Sequence, residues 1–170
     1  IINTLKNGSL LTRTPEVDLF VNPQACQAIA TSVTALNKQG MTIRPAAQPS
    51  SVFGAGISRT LHAKFLFSAN YRENSKACNS AWVYLGSGNL TTPGFAKKMS
   101  ASGGNLEAGV VFSPEHLYWE GEKGIEDWQV VTNLLPIQWN EDFNNSSAQL
   151  SPGSEMNPRD PSYTAPPVAW

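Results

Sequence analysis

A strand, a helix and a second strand follow one another near the start of the chain, and this order constrains the fold most. Residues 17–21 alternate and are rich in β formers, which predicts a strand. Asn22 is a candidate N-cap with Pro23 at the first helical position, and Gly40 is a natural helix stop. The apolar residues that recur between them at helical spacing are Cys26, Ile29, Val33 and Leu36. Residues 41–44 predict the second strand, so the unit is the repeat of α/β folds.

Three further strands and two further helices are predicted downstream. The strands cover residues 60–68, 81–85 and 108–112, and the intervening polar or small-residue stretches at 45–58, 70–80 and 100–104 predict loops. The helices cover residues 92–99, with Thr92-Pro93 at the start, and 122–135, with the apolar stripe Ile125, Trp128, Val131 and Leu135. Trp82 and Trp128 are expected to pack in the core. The predicted fold class is α/β, with a mixed β-sheet flanked by helices.

Composition sets the domain plan. A chain of 170 residues with 41% hydrophobic content can bury one real core. We predict one domain over residues 1–143 and an extended, Pro- and Ser-rich tail or linker over residues 144–170. The net charge of −1 lacks the basic footprint of a dedicated nucleic-acid binder, although net charge does not report how charge is distributed.

Cysteine usage and hydropathy bear on the compartment. Cys26 and Cys78 are too few for a disulfide framework and show no metal spacing, so free thiols are expected, with a 26–78 bridge as the alternative. No apolar run approaches the ~20 residues that span a bilayer, and no signal peptide is apparent. We therefore expect an intracellular protein, cytoplasmic or nuclear. Because the chain opens on Ile1 rather than Met, we also expect a longer parent chain.

His62 and Lys64 are the first pair of residues that point to chemistry. Residues two apart on a strand face the same side, so the imidazole and the ammonium are expected together. Lys64 lies in an apolar run, where burying its charge without an anionic partner would be costly. The alternative is an edge strand with a solvated lysine and a structural histidine. Arg59, just upstream, is a candidate for steering a phosphate, or an ordinary solvated arginine.

A second polar stretch follows the predicted strand 81–85. Gly86 and Ser87 form a small-residue turn whose backbone amides and hydroxyl can approach an oxyanion. Asn89 offers a neutral donor to a phosphoryl oxygen. By itself this stretch is also a good turn sequence. Together with His62 and Lys64 it predicts a phosphate site.

These motifs resemble one half-site of the phospholipase D superfamily. The resemblance covers residues 60–112 and rests on His62-x-Lys64, Gly86-Ser87-x-Asn89-Leu90-Thr91 and Asn105-x-Glu107, in that order. It implies a phospholipase D-like half-domain and hydrolysis of a phosphodiester without a metal or another cofactor. Two half-sites meet: one histidine forms a phosphohistidine, and the other protonates the leaving group and then activates water.

The resemblance also implies residue roles. Lys64 and Asn89 would stabilise charge on the non-bridging oxygens, Gly86 and Ser87 would bind substrate, and Glu107 would orient a site histidine. The alternative for Glu107 is a surface charge at the start of a strand. Whether His62 is the nucleophile or the general acid stays open, and analogy with the tyrosyl-DNA phosphodiesterase branch favours the acid.

Two departures narrow the substrate class. Family members commonly carry an Asp shortly after the lysine, where this chain has Ser68-Ala69, and the insertion at 70–80 lengthens the interval from Lys64 to Asn89. Both features are shared with the tyrosyl-DNA phosphodiesterase branch, with restriction-type nucleases as close competitors. The predicted function is therefore hydrolysis of nucleic-acid phosphodiesters.

One His-x-Lys motif cannot build a two-histidine site. His116, the other histidine, has no lysine two residues on. The second half-site is expected from homodimerisation or from elsewhere in the parent chain. The alternatives are a catalytically silent half-domain that binds phosphate or nucleic acid and, more weakly, a phospholipid hydrolase.

Overall fold

The fold combines two small β-sheets with short helices. The structure is a computed structural model that describes residues 1–23, 26–47, 62–100, 103–143 and 150. Its elements are α1 (Ile2–Asn7), β1 (Val17–Val21), α2 (Gln27–Ala30), α3 (Val33–Lys38), β2 (Met41–Pro45), β3 (Phe65–Tyr71), β4 (Cys78–Gly86), a π-helical turn (Thr92–Ala96), β5 (Gly109–Phe112), a 3-10 turn (Asp127–Gln129) and α4 (Val131–Leu134). The α/β class is confirmed. The described strands form two separate sheets, however, and not the single mixed sheet that was expected.

The first sheet is the predicted strand–helix–strand unit. β1 and β2 pair in parallel, with Val17 opposite Met41. The connecting helix differs from the prediction, since α2 begins only at Gln27 and a break separates it from α3. The break falls in a run of hydroxyl-bearing and β-branched residues, 31–34, which are weak helix formers. Gly40, whose φ is +74°, follows the helix in the left-handed conformation that its stop position requires.

The second sheet is antiparallel and has the order β3-β4-β5. Phe65 pairs with Leu85, and a bulge between Ser68 and Asn70 lets the hairpin continue to Tyr71 opposite Cys78. In the described part of the predicted strand 60–68, from residue 62 on, the strand begins at Phe65, and the predicted loop 70–80 is shorter because β3 continues to Tyr71 and β4 begins at Cys78. Its third strand, β5, pairs with β4 and leaves its four residues exposed.

Apolar residues from β4 and the C-terminal segment form the core of this sheet. Ala81, Leu117 and Val131 are buried together, with Phe67 and Trp119 packed against them. The fully buried side chains among the described residues are Ile43, Val130 and Val131.

The predicted helix 122–135 is reduced to a 3-10 turn at Asp127–Gln129 and the single α-helical turn α4 at Val131–Leu134. Its backbone groups bind Tyr118 instead: the Tyr118 N–H donates to the Gln129 carbonyl at 2.9 Å and the Val131 N–H donates to the Tyr118 carbonyl at 2.8 Å. Gly124, at φ +93°, turns the chain away from helical geometry. Trp128, which was expected in the core, is consequently 66% exposed.

Arg44 holds the first sheet to the C-terminal segment. Its Nε lies 2.6 Å from an oxygen of Asp18 on β1, and its Nη1 donates to the Trp139 carbonyl at 2.7 Å. The guanidinium also lies over the Trp139 ring, 5.8 Å from its centroid. Phe20 of β1 stacks on Phe65 of β3, with ring centroids 4.6 Å apart, so aromatic packing connects the two sheets.

Cys26 and Cys78 are not joined by a disulfide, and the Cys26 thiol donates to the Pro23 carbonyl at 3.5 Å. Burial raises the pKa of the Cys26 thiol and that of the Cys78 thiol, since a thiolate is poorly solvated there.

Trp82 is half-buried rather than fully in the core, and its indole N–H donates to the Leu10 carbonyl at 3.1 Å. No helix in the described part of the chain is long and apolar enough to cross a membrane.

Two glycines opposite each other make room for one tyrosine ring. Gly86 of β4 pairs with Gly109 of β5, and Tyr84 lies two residues before Gly86 on the same face. A Cβ added to either glycine would collide with the Tyr84 ring or its hydroxyl. The ring also meets Phe95 edge-on at 5.5 Å.

We expect Gly86→Ala to lower the free energy of unfolding by about 1–3 kcal/mol, because the new methyl displaces the Tyr84 ring. In a Tyr84→Ala background the same change should cost less, although the new Cβ would still lie 2.9 Å from the Ala108 carbonyl oxygen; urea denaturation of the four proteins would measure the difference. Gly121→Ala is the matched control, since its Cβ would meet Val130 at an ordinary 3.6 Å. Equal losses for Gly86→Ala and Gly121→Ala would contradict this packing.

Candidate functional site

The predicted site residues gather where β3, β4 and β5 meet at one end of their sheet. The Gly86 N–H donates to the Lys64 carbonyl at 3.2 Å, so the ladder extends one residue past β3. Gly86 in turn pairs with Gly109. Lys64, Gly86 and Gly109 thus form a row across three strands, and residues just beyond this row carry the polar groups.

His62 and Lys64 come together as their spacing predicts. Lys64 Nζ lies 2.5 Å from His62 Nε2. The imidazole is exposed, and Lys64 is half-buried on the extension of β3, which is an edge strand of its sheet. An ammonium hydrogen-bonded to an imidazole places a fixed positive charge and a nucleophilic or proton-carrying nitrogen at one point.

Ser87 joins β4 to the segment before β5. The Ala108 N–H donates to the Ser87 hydroxyl oxygen at 3.0 Å, while the Ser87 N–H donates to the Ala108 carbonyl at 2.9 Å. The Ser87 hydroxyl then donates to Glu107 Oε2 at 2.6 Å. The Ser87 hydroxyl oxygen therefore takes the place of a backbone carbonyl as the acceptor of the Ala108 N–H. The same hydroxyl also holds the Glu107 carboxylate.

The Glu107 carboxylate is held at both oxygens. Besides the Ser87 bond, Asn105 Nδ2 donates to Glu107 Oε1 at 2.9 Å. These two bonds, Ser87 first, and the positive charge of Lys64 hold the pKa of the Glu107 carboxyl below its usual range. Glu107 is thus a fixed negative charge near Lys64.

In the described chain Glu107 binds Ser87 and Asn105 and has no hydrogen bond to a histidine. Its role in orienting one remains a prediction that concerns a second half-site. Asn105 was part of the sequence motif but was not singled out as a site residue. Its spacing was the available signal, because residues two apart on an extended chain share a side.

Asn89 lies in the loop after β4, and its side chain makes no hydrogen bond to the other predicted site residues. The Thr91 N–H donates to its backbone carbonyl at 2.7 Å, and its exposed carboxamide has no hydrogen bond within the described residues. Thr91 Oγ1 accepts the Gly94 N–H at 3.3 Å and caps the π-helical turn, so the predicted helix 92–99 shortens to Thr92–Ala96. Arg59 lies outside the described residues.

Comparison with protein-family models, curated proteins and solved structures finds no match. Among the described residues, no group of three or more His, Cys, Asp or Glu side chains is placed to hold a metal ion. The function must therefore be argued from the chemistry of the cluster itself.

Replacing Ser87 with Ala should raise the pKa of Glu107 towards its ordinary value, because the largest stabilising hydrogen bond to the carboxylate is lost. Carbon-detected NMR titration of the glutamate carboxyls would measure it. Since folding lowers this pKa, the stabilisation is present above the unfolded-state pKa and is lost as pH falls through the folded-state pKa. Ser68→Ala, in mid-strand on β3, is the control; an equal shift in both variants would refute the assignment.

Proposed function

We propose that the chain supplies one half-site of a metal-independent phosphodiesterase of the phospholipase D superfamily, acting on nucleic-acid phosphodiesters. The observation that carries the proposal is the contact between His62 and Lys64 at the sheet end, with the charged Glu107 close by. Lys64 lies close enough to act electrostatically on the Glu107 carboxylate, which is itself fixed by two hydrogen bonds, so the three side chains place two hydrogen-bonding nitrogens and an oriented carboxylate at one end of the sheet.

The cluster suits phosphoryl transfer in two steps. In the first, a histidine nitrogen forms a bond to phosphorus while the bond to the leaving oxygen breaks, and the partner histidine donates a proton to that oxygen. In the second, water deprotonated by the partner histidine attacks phosphorus and releases the first histidine. His62 can take either role, since its side chain is exposed and its one hydrogen bond within the described residues is to Lys64, which can turn to the substrate.

Lys64 supplies the positive charge that the transition state needs. Its ammonium binds His62 when no substrate is present, and it can turn to a non-bridging phosphoryl oxygen when one arrives. Gly86 is constrained by the Tyr84 ring and Ser87 by the ladder, so their backbone positions are fixed before substrate binds. The exposed Asn89 carboxamide, which makes no hydrogen bond to the cluster, would donate to a phosphoryl oxygen when substrate is bound.

A second half-site has to come from elsewhere. His116 is exposed, has a φ of +57° and lies 3.9 Å from Glu115, with no lysine at the matching position. A second copy of the chain or another part of a longer parent would bring the partner histidine and lysine. The nucleic-acid preference rests on the sequence departures from compact family members, namely Ser68-Ala69 and the long β3–β4 hairpin.

His62→Ala or Lys64→Ala should lower the cleavage rate of bis(4-nitrophenyl) phosphate and of a single-stranded oligonucleotide by at least about 100-fold, with EDTA present throughout. The loss follows from removing the nucleophile or proton donor, or the charge that stabilises the phosphorane-like state. His116→Ala is the matched control and should retain wild-type rates. Full activity of the His62→Ala protein in EDTA would remove this histidine from the mechanism.

A silent half-domain is the second candidate, favoured by the lone His-x-Lys motif. Such a domain would bind inorganic phosphate through Lys64 and turn over no phosphodiester. Analytical ultracentrifugation combined with the same assay separates the two functions. A parent chain with no second His-x-Lys motif, together with a strictly monomeric chain that binds phosphate and shows no cleavage in EDTA, would favour the binding module.

A further inference from the structure

Tyr84 reaches into the end of the sheet where the polar cluster lies. Its ring runs along β4 over Gly86 and across to Gly109, occupying the space that two side chains would otherwise fill. A Cβ on Gly109 would lie 2.8 Å from the Tyr84 hydroxyl oxygen, and one on Gly86 would lie closer still. The phenol oxygen therefore sits directly over the glycine pair.

The register places the Tyr84 ring and Lys64 on the same face of the sheet. Gly86 is flanked by Lys64 on β3's extension and by Gly109 on β5, and neighbouring strands lie about 4.8 Å apart. Residues directly opposite each other project from the same face of a sheet, so Lys64 and the Tyr84 ring share one face. Lys64 contacts His62, and Glu107 lies two residues before Gly109. The Tyr84 phenol thus lies on the face of the sheet from which Lys64 projects.

The Tyr84 hydroxyl is uncommitted. It makes no hydrogen bond to any described residue, although the ring is clamped by the two glycines and by the edge-on contact with Phe95. A fixed ring with an unpaired hydroxyl is pre-organised for a ligand, since little side-chain entropy remains to be lost on binding. Ring packing alone would have been served equally well by phenylalanine.

We propose that the Tyr84 hydroxyl is a substrate-binding group of this site, donating a hydrogen bond to a non-bridging oxygen of the scissile phosphate beside Lys64. The assignment rests on the proposed phosphodiesterase function and adds a residue to it. Gly86 and Gly109 acquire a role through the same geometry, because only residues without a Cβ let the phenol reach that point.

Tyr84→Phe removes the hydroxyl and keeps the ring, so the fold should be unchanged. We expect kcat/KM for bis(4-nitrophenyl) phosphate to fall about tenfold, the effect of losing one hydrogen bond to a charged oxygen, and the Kd for inorganic phosphate to rise by a similar factor. Tyr71→Phe is the matched control. Tyr71 lies at the opposite end of β3, its ring stacks on Trp119, and its hydroxyl likewise has no hydrogen bond within the described residues.

Phosphate binding, followed by 31P NMR or calorimetry, separates this proposal from the hydrolase proposal. A wild-type chain that binds phosphate without hydrolysis, and loses binding in Tyr84→Phe alone, supports the tyrosine and contradicts the hydrolase. Hydrolysis and phosphate binding that are equal in Tyr84→Phe and Tyr71→Phe would overturn the role of Tyr84 and leave the hydrolase standing. A wild-type chain that neither binds phosphate nor cleaves the diester overturns both.

Discussion

The register of the β3-β4-β5 sheet is the constraint on which the site depends. Pairing Phe65 with Leu85 places Lys64 opposite Gly86, and pairing Leu85 with Val110 places Gly86 opposite Gly109. A slip of one residue would send Lys64 to the other face, because side chains alternate along a strand. The ladder bonds of Ser87 extend this register past the strand ends, where Glu107 is held. The polar cluster is thus a consequence of the backbone pairing.

Gly86, at the end of β4, and Gly109, at the start of β5, are a pair of glycines that stabilise the sheet little by themselves. Glycine in a strand interior weakens the strand, since it has no side chain to pack and loses more backbone entropy on folding. Here the Tyr84 ring restores the missing contacts by covering Gly86 and Gly109 together, and Phe95 closes over its edge. One aromatic side chain therefore offsets two weak positions.

Local patterns predicted the elements whose backbone bonds are satisfied locally or with a neighbouring strand. The alternation at 17–21 and the helix stop at Gly40 both held. The predicted helix 122–135 is interrupted because the N–H and carbonyl of Tyr118 bind backbone groups within the segment. No periodicity inside the segment can reveal a partner that lies outside it. In the site, the period of two brought His62 to Lys64. The position of the Tyr84 ring over Gly109 depends on pairing between strands more than twenty residues apart along the chain, so it could not be predicted from local sequence patterns.

The charges of Lys64 and Glu107 explain why this half-site needs a second half-site to bind a phosphodiester. At neutral pH Lys64 contributes +1 and Glu107, held ionised by Ser87 and Asn105, contributes −1, so the two cancel before His62 is counted. A phosphodiester anion entering this half-site meets hydrogen-bond donors without net attraction. In a second copy of the chain the charges of Lys64 and Glu107 would cancel in the same way, so the added positive charge comes from the partner histidine, which carries a proton when it serves as the general acid. The ionised Glu107 therefore leaves the isolated half without net positive charge from Lys64, which favours chemistry at a junction of two halves over chemistry in one.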